Sequence, residues 1–182
     1  MGDKLGRLEE LNKTLKSPQE LGGAFLPEGS PKQFEFMFVA EMPSMNEPKN
    51  KSTEKFSNFS VTARDRFLKE MMMKYGVAGS YVTDIVKERD VPRQPTKGEI
   101  EKWRPFLLEE VEIIQPRVIV VLGKRTYDAS FKPFIEPHIP KQIKVEYVFH
   151  YSQQGAKTNA EVEQRFGEVI GKIRTHQKAH IQ

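Results

Sequence analysis

The chain has 182 residues, of which 37% are hydrophobic and 30% charged, and its net charge is +4. This composition is typical of a soluble globular protein with a single domain over residues 1–182, and the mild basic excess permits a nucleic-acid partner without requiring one. No apolar run approaches the ~20 residues that span a bilayer, and no apolar signal segment follows the first residues, so we expect a cytoplasmic protein. The absence of cysteine excludes disulfides, thiolate nucleophiles and cysteine-bound metal or iron–sulfur centres.

The first part of the chain predicts a helix and a loop before the first strand. Four leucines recur at helical spacing within residues 3–16, with Asp3 as the N-cap. Residues 17–33 are rich in glycine and proline and predict a surface loop. The mostly apolar segment that starts at Phe34 predicts a strand buried on both faces, and this strand stops at Ala40-Glu41-Met42-Pro43.

A long polar segment, residues 44–60, follows this strand. Connections of this length are usually functional or disordered. Phe56 and Phe59 lie among its lysines and asparagines, which suits stacking on a base close to phosphates. The alternative is that both rings anchor the loop to the core, and the sequence favours neither interpretation.

The rest of the chain alternates between helical and strand patterns. In order, the sequence predicts a helix at 62–75, a strand at 81–86, a helix at 97–115, a strand at 117–122, a short helix at 124–131, a loop at 132–142, a strand at 143–149 and a helix from about 158 to 176. Thr96 with Glu99, and Thr158 with Glu161, form capping-box patterns. Alternation of this kind predicts an α/β fold, a three-layer α/β/α sandwich around a central four-stranded parallel sheet.

Polar residues follow or end three of the predicted strands: Glu41, Asp84 and His150. Because the carboxyl ends of parallel strands meet at one sheet edge, a carboxylate and a histidine there can support hydrolysis, with phosphoester and acyl substrates both open. For Asp84 a structural hydrogen bond is the competing interpretation. Lys87 opens a charged segment, 87–96, that either meets phosphates or is simply solvated.

Four ordered blocks between residues 34 and 172 resemble the uracil-DNA glycosylase superfamily, most closely its iron–sulfur-bearing, thermostable-type branch. Val-Ala-Glu-Met-Pro-Ser-Met-Asn-Glu at 39–47 resembles the water-activating block. Tyr-Val-Thr-Asp-Ile-Val-Lys at 81–87 resembles the base-reading strand. Pro-Arg-Val-Ile-Val-Val-Leu-Gly at 116–123 resembles the third strand and its glycine, and His-Tyr-Ser at 150–152 resembles the His-Pro-Ser block that inserts into DNA.

This resemblance implies a DNA glycosylase of base excision repair that hydrolyses the N-glycosidic bond of a deaminated base, uracil or hypoxanthine-like, flipped out of DNA. Glu41 would activate water and His150 would hydrogen-bond the base oxygen that gains charge. Phe59 would stack on the base, with Met42 beside it, and Asp84 would read its edge. The implied DNA contacts are Pro43, Ser44, Lys87, Tyr151, Ser152 and Gln153. The chemistry requires no metal or cofactor, and we expect a monomer with DNA as its partner.

Three departures from the family pattern change these expectations. Glu88 and Trp103 occupy two of the cluster cysteine positions, so we expect no iron–sulfur cluster. Asp84 replaces asparagine, and an ionised aspartate only accepts hydrogen bonds, so it would repel O4 of uracil. Three alternatives follow: Asp84 is protonated, the preferred base is not uracil, or the site does not read uracil. Tyr151 replaces proline, and its ring would stack or fill the gap left by the base. The alternatives are a non-catalytic nucleic-acid-binding protein with a degenerate pocket, and a small hydrolase or nucleotide-binding protein unrelated to DNA.

Overall fold

The computed structural model describes residues 2–17, 20–25, 34–43, 62–88, 93–152 and 157–179. Within these ranges the helices are α1 (Gly2–Lys13), α2 (Ala63–Lys74), α3 (Lys97–Ile114), α4 (Lys124–Thr126), α5 (Lys132–Phe134) and α6 (Asn159–Ala179). The strands are β1 (Ala24–Phe25), β2 (Phe36–Ala40), β3 (Tyr81–Asp84), β4 (Val118–Leu122) and β5 (Lys144–Val148). A π-helical segment (Tyr127–Phe131) joins α4 to α5, and a 3-10 turn (Glu136–His138) follows.

The strands form one sheet in the order β1-β3-β2-β4-β5. β2, β3, β4 and β5 are parallel, which confirms the four-stranded parallel sheet, and their register pairs Ala40 with Asp84. The sheet has in addition the short strand β1, antiparallel to β3, inside the segment predicted to be a loop. Gly23 permits this approach, because a Cβ on it would lie 2.1 Å from Cζ of Tyr81. A two-residue strand is too short to show alternation in the sequence.

A helical layer covers each face of the sheet, as the three-layer prediction requires. Alternate residues of β2 point to opposite faces: Met37 and Val39 join the core formed with α1 and α3, whereas Phe36 and Phe38 join the core formed with α2 and α6. Phe38 stacks on Phe166 of α6, with ring centroids 5.8 Å apart. Within the described residues, no helix is both long enough and apolar enough to cross a membrane.

Most helix boundaries follow the sequence signals. The capping boxes of α3 and α6 form as predicted, since the Thr96 side chain accepts from the backbone N–H of Glu99 and Thr158 does the same for Glu161. Two predictions were wrong. α1 begins at Gly2, so Asp3 lies in its first turn rather than at its N-cap. The predicted loop 132–142 contains α5 and the 3-10 turn, because two of its three prolines, Pro133 and Pro137, fall in first-turn positions where no backbone donor is needed.

Candidate active site

The three predicted strand-end residues come together at the carboxyl edge of the sheet. Glu41 directly follows β2, Asp84 ends β3, and His150 lies two residues beyond β5. The Glu41 carboxylate is close enough to Asp84 to raise its pKa, and Asp84 in turn raises the pKa of Tyr151, the neighbour of His150. The parallel strand order therefore produces one polar site from three separate parts of the chain.

Two neutral donors hold the half-buried Glu41 carboxylate. The hydroxyl of Ser130 donates to Oε1 at 2.9 Å, and the side-chain amide of Gln94 donates to Oε2 at 3.2 Å. Ser130 is buried in the π-helical segment, so its position is set by packing rather than by solvent. A carboxylate has about four acceptor positions, so two bonds leave room to hold a water molecule. Sequence reasoning missed both donors, since neither lies in a recognisable motif.

His150 is held in one tautomer. The backbone N–H of Ser152 donates to its Nδ1 at 3.1 Å, and the Ser152 hydroxyl lies 2.6 Å from the same atom. A backbone N–H can only donate, so Nδ1 carries no proton and the neutral ring has its proton on Nε2. Burial lowers the pKa of His150 to about 4. The imidazole is therefore neutral at physiological pH and presents Nε2–H as a donor.

The backbone of Gly123 and the ring of Tyr151 pack against His150. Gly123 has a φ of 118°, and a Cβ on it would lie 3.5 Å from both Cβ and Cδ2 of His150 and 3.1 Å from the Thr126 hydroxyl. The Tyr151 ring stacks on the imidazole, with centroids 4.8 Å apart and planes 17° from parallel. The imidazole thus lies in a closely packed environment, which explains the low pKa.

The Asp84 side chain is half-buried, and burial is the main reason that its pKa rises from 3.8 to about 7. Lys87 lowers this pKa, while Glu110 and Glu41 raise it further. Lys87 bonds the backbone oxygen of Asp84, at 2.5 Å, rather than its carboxyl. Near neutral pH a large fraction of Asp84 is protonated, and a protonated carboxyl offers one donor and one acceptor, as asparagine does.

The prediction that Lys87 contacts phosphates was wrong. Its side chain has an exposed fraction of 0%, and its ammonium lies 2.7 Å from Glu110 on α3 and 2.6 Å from the Thr83 hydroxyl. Glu110 also accepts from the Tyr81 hydroxyl at 2.9 Å. A signal for this buried pair existed in the sequence, because Glu110 lies three residues after Leu107 and so on the apolar stripe of α3.

Three of the remaining predicted site residues lie in the described part of the chain, and three do not. Met42 and Pro43 are half-buried after Glu41, and Met42 packs against the α1–α3 core. Ser152 bonds His150 as described above. Ser44, Phe59 and Gln153 lie outside the described residues.

The residues at the two cluster positions do not fit an iron–sulfur cluster. The sequence contains no cysteine, so no thiolate ligand exists. Glu88 forms an ion pair with Lys102, whose ammonium lies 5.0 Å from the centre of the Trp103 ring. The part of the chain that the structure describes holds no group of three or more histidine, aspartate or glutamate side chains suited to a metal ion.

The fold and site define an α/β/α protein whose sheet edge holds a neutral imidazole donor, a positioned carboxylate and a carboxyl with a raised pKa. The family model of the uracil DNA glycosylase superfamily matches residues 26–173. The chain belongs to this superfamily, and the resemblance read from its four blocks is confirmed.

Two curated relatives and one solved structure are similar to this chain. The type-4 uracil-DNA glycosylase of Sulfurisphaera tokodaii is 31% identical over 132 residues, which are 70% of this chain and 57% of that protein. The type-4 uracil-DNA glycosylase of Archaeoglobus fulgidus is 32% identical over 113 residues, 60% of this chain and 54% of that protein. The chain thus matches little more than half the length of these relatives. The crystal structure of WT Pedobacter heparinus SMUG2 aligns with a TM-score of 0.60 at 13% identity, over 98% of this chain and 100% of that chain, and shows the same fold.

Proposed function

We propose that this protein is a DNA glycosylase that hydrolyses the N-glycosidic bond of a deaminated base flipped into the strand-edge site. The observation that carries the proposal is the His150 imidazole, held neutral with Nε2–H as its donor at the same sheet edge as Glu41. Membership of the superfamily and the two type-4 relatives support it.

The chemistry follows from these two groups. As the bond between sugar and base breaks, negative charge develops on the base oxygen and positive charge on the sugar. A neutral His150 stabilises the oxyanion by donating from Nε2, without giving up its proton. The Glu41 carboxylate stabilises the cationic sugar and orients the attacking water, as carboxylates do in glycoside hydrolysis. Water adds its hydroxyl to the sugar carbon, and its proton ends on the departing base.

Asp84 is proposed to read the base in its protonated form. Its O–H would donate to O4 of uracil or O6 of hypoxanthine, and its carbonyl oxygen would accept from N3–H or N1–H. Both deaminated bases present the same acceptor–donor pair on this edge, so the site admits either one. The proposed supporting contacts are Met42 and Phe59 to the base, and Pro43, Ser44, Ser152 and Gln153 to the DNA.

The test is a strand-cleavage assay on labelled oligonucleotides carrying uracil, hypoxanthine, xanthine or a T·G mismatch, with alkali to break abasic sites. We expect cleavage at uracil or hypoxanthine, and a loss of about 10²–10³-fold in His150→Ala, the cost typical of removing one oxyanion donor. His138→Ala is the matched control, since His138 is an exposed histidine of the 3-10 turn. It should retain wild-type activity.

Asp84 in place of asparagine favours a non-catalytic nucleic-acid-binding protein as the second candidate. No cleavage at any lesion, together with tight binding to the same oligonucleotides that weakens steeply with salt, would establish that candidate instead.

A further inference from the structure

Tyr151 occupies the position where the family motif has proline, and the structure places it inside the site rather than on its surface. Its ring is half-buried against the core that α2 and α6 form, and it stacks on the His150 imidazole at 4.8 Å. Burial is the main cause of a raised pKa for its hydroxyl, followed by the charges of Asp65 and Asp84. The tyrosine is therefore a packed neighbour of the catalytic histidine in the free protein.

The Asp65 carboxylate lies close enough to the Tyr151 hydroxyl for its charge to raise the pKa of that hydroxyl. Asp65 is the third residue of α2, and its Oδ2 accepts from the backbone N–H of Thr62 at 3.1 Å and from the Thr62 hydroxyl at 2.6 Å. The same carboxylate thus closes the capping box of α2 and lies near the tyrosine. The turn that carries His150 is therefore close to the first turn of α2.

The contacts on His150 constrain different motions. The Ser152 hydrogen bonds act in the plane of the ring at Nδ1, so they select the tautomer but leave the ring free to tilt about that atom. A stacked aromatic ring acts on the face of the imidazole and opposes tilting. Proline stiffens a backbone through its fixed φ. Tyrosine lacks that restraint, and here its ring supplies tertiary contacts instead.

We propose that Tyr151 is a positioning residue, whose ring stacked on His150 keeps the imidazole donor aimed and shielded from water before DNA binds. The consequence for catalysis rests on the proposed glycosylase function. The competing role is an exposed wedge that fills the gap in duplex DNA, and the two roles make opposite predictions for single strands, where there is no gap to fill.

The experiment has two readouts on the same full-length variants. Long-range ¹H–¹⁵N spectra of the free protein give the tautomer of His150 and its titration midpoint. Single-turnover rates on matched single- and double-stranded lesion oligonucleotides give the catalytic effect. The variants are Tyr151→Ala, Tyr151→Leu, which keeps bulk without a flat ring, and Tyr151→Phe, which keeps the ring. Asp65 and Asp84 face Tyr151 from α2 and β3, and they are left unchanged.

We expect Tyr151→Ala and Tyr151→Leu to raise the His150 midpoint by about one pH unit or more toward its ordinary 6.5, because the imidazole becomes hydrated. Their rates should fall about tenfold or more on single and double strands alike, with little change in substrate affinity, since the donor is misaligned. Tyr151→Phe should keep the midpoint and lose at most about threefold in rate, since the stack remains.

Two results would overturn the inference. One is a rate loss confined to duplex substrates, which identifies a wedge. The other is an unchanged His150 midpoint and tautomer in both Tyr151→Ala and Tyr151→Leu, even if these variants melt at lower temperature. Should the wild-type protein cleave no lesion, the glycosylase proposal fails, but the spectra of the free protein still decide whether Tyr151 positions His150.

Discussion

Asp84→Asn removes one titrating group from the site and leaves its shape unchanged. The raised pKa means that ionised Asp84 is costly in the folded protein. A rise from 3.8 to about 7 corresponds to about 4 kcal/mol at 1.36 kcal/mol per pH unit. The side chain is only half-buried, so solvent screening reduces this to about 2 kcal/mol. Asparagine carries no charge at any pH and avoids this cost.

The sign of the pH dependence follows from the raised pKa. Below pH 3.8 the carboxyl is protonated in both folded and unfolded chains, so it adds no cost. Between 3.8 and about 7 the unfolded chain ionises while the folded one does not, and stability falls. Above about pH 7 the cost is complete. Asp84→Asn should therefore exceed the wild type in unfolding free energy by about 2 kcal/mol at pH 8.5, with the difference shrinking toward zero near pH 4.

The proposed role of Asp84 predicts that the same titration controls activity, because only its protonated carboxyl would offer a donor to the base. Cleavage of uracil by the wild type should fall about tenfold for each pH unit above about 7, the slope of a single essential acid, whereas Asp84→Asn should stay level. Activity should also fall at low pH, once His150 gains a proton near pH 4. Single-turnover rates from about pH 3.5 to 9 measure both limbs.

Urea unfolding from pH 4 to 8.5 measures the stability effect. Asp128→Asn is the matched control, because Asp128 is an exposed carboxylate in a surface ion pair with Lys124 and should show a small difference that does not change in this way. An equal stability difference between wild type and Asp84→Asn at pH 4 and pH 8.5 would refute the reasoning. So would a parallel loss of activity in both proteins above pH 7.

Three further predictions concern residues around the site. Lys87→Met should lower the unfolding free energy by about 3–5 kcal/mol, because Glu110 is left buried without its cation. Adding Glu110→Leu should recover most of this loss. Urea unfolding measures both variants, and no recovery in the double variant would contradict the pairing. Ser130→Ala should slow single-turnover cleavage about tenfold, because it removes a hydrogen-bond donor to Glu41. An unchanged rate would show that this bond does not matter for catalysis. Gly123→Ala should lower the unfolding free energy by about 1–3 kcal/mol, because alanine is strained at a φ of 118°. A calorimetric melting temperature equal to that of the wild type would show that alanine is not strained at this position.

The amino-acid sequence was sufficient to predict the layers, the parallel sheet and the start of two helices. The alternation of helical and strand patterns predicted the layers and the parallel sheet, because burial of strands on both faces leaves continuous apolar runs. The capping boxes at Thr96 and Thr158 predicted where two helices begin, since the pattern depends on residues three apart. The strand-end positions of Glu41, Asp84 and His150 followed from the parallel order alone.

Only the tertiary structure determined which polar groups, distant from each other in the sequence, become partners. Lys87 looked like a surface cation, but Glu110 lies 23 residues away on α3 and meets it in the core. Ser130 reaches Glu41 across 89 residues, from the π-helical part of the segment predicted as a short helix, and no local pattern predicted this contact. Tyr151 turns inward, with its ring stacked on His150 and packed against the core of α2 and α6. The amino-acid sequence determines which groups are charged, aromatic or polar and which local pattern each lies in. Whether such a group is buried, and with what partner, depends on how the layers pack, because desolvation and pairing are set by neighbours in space.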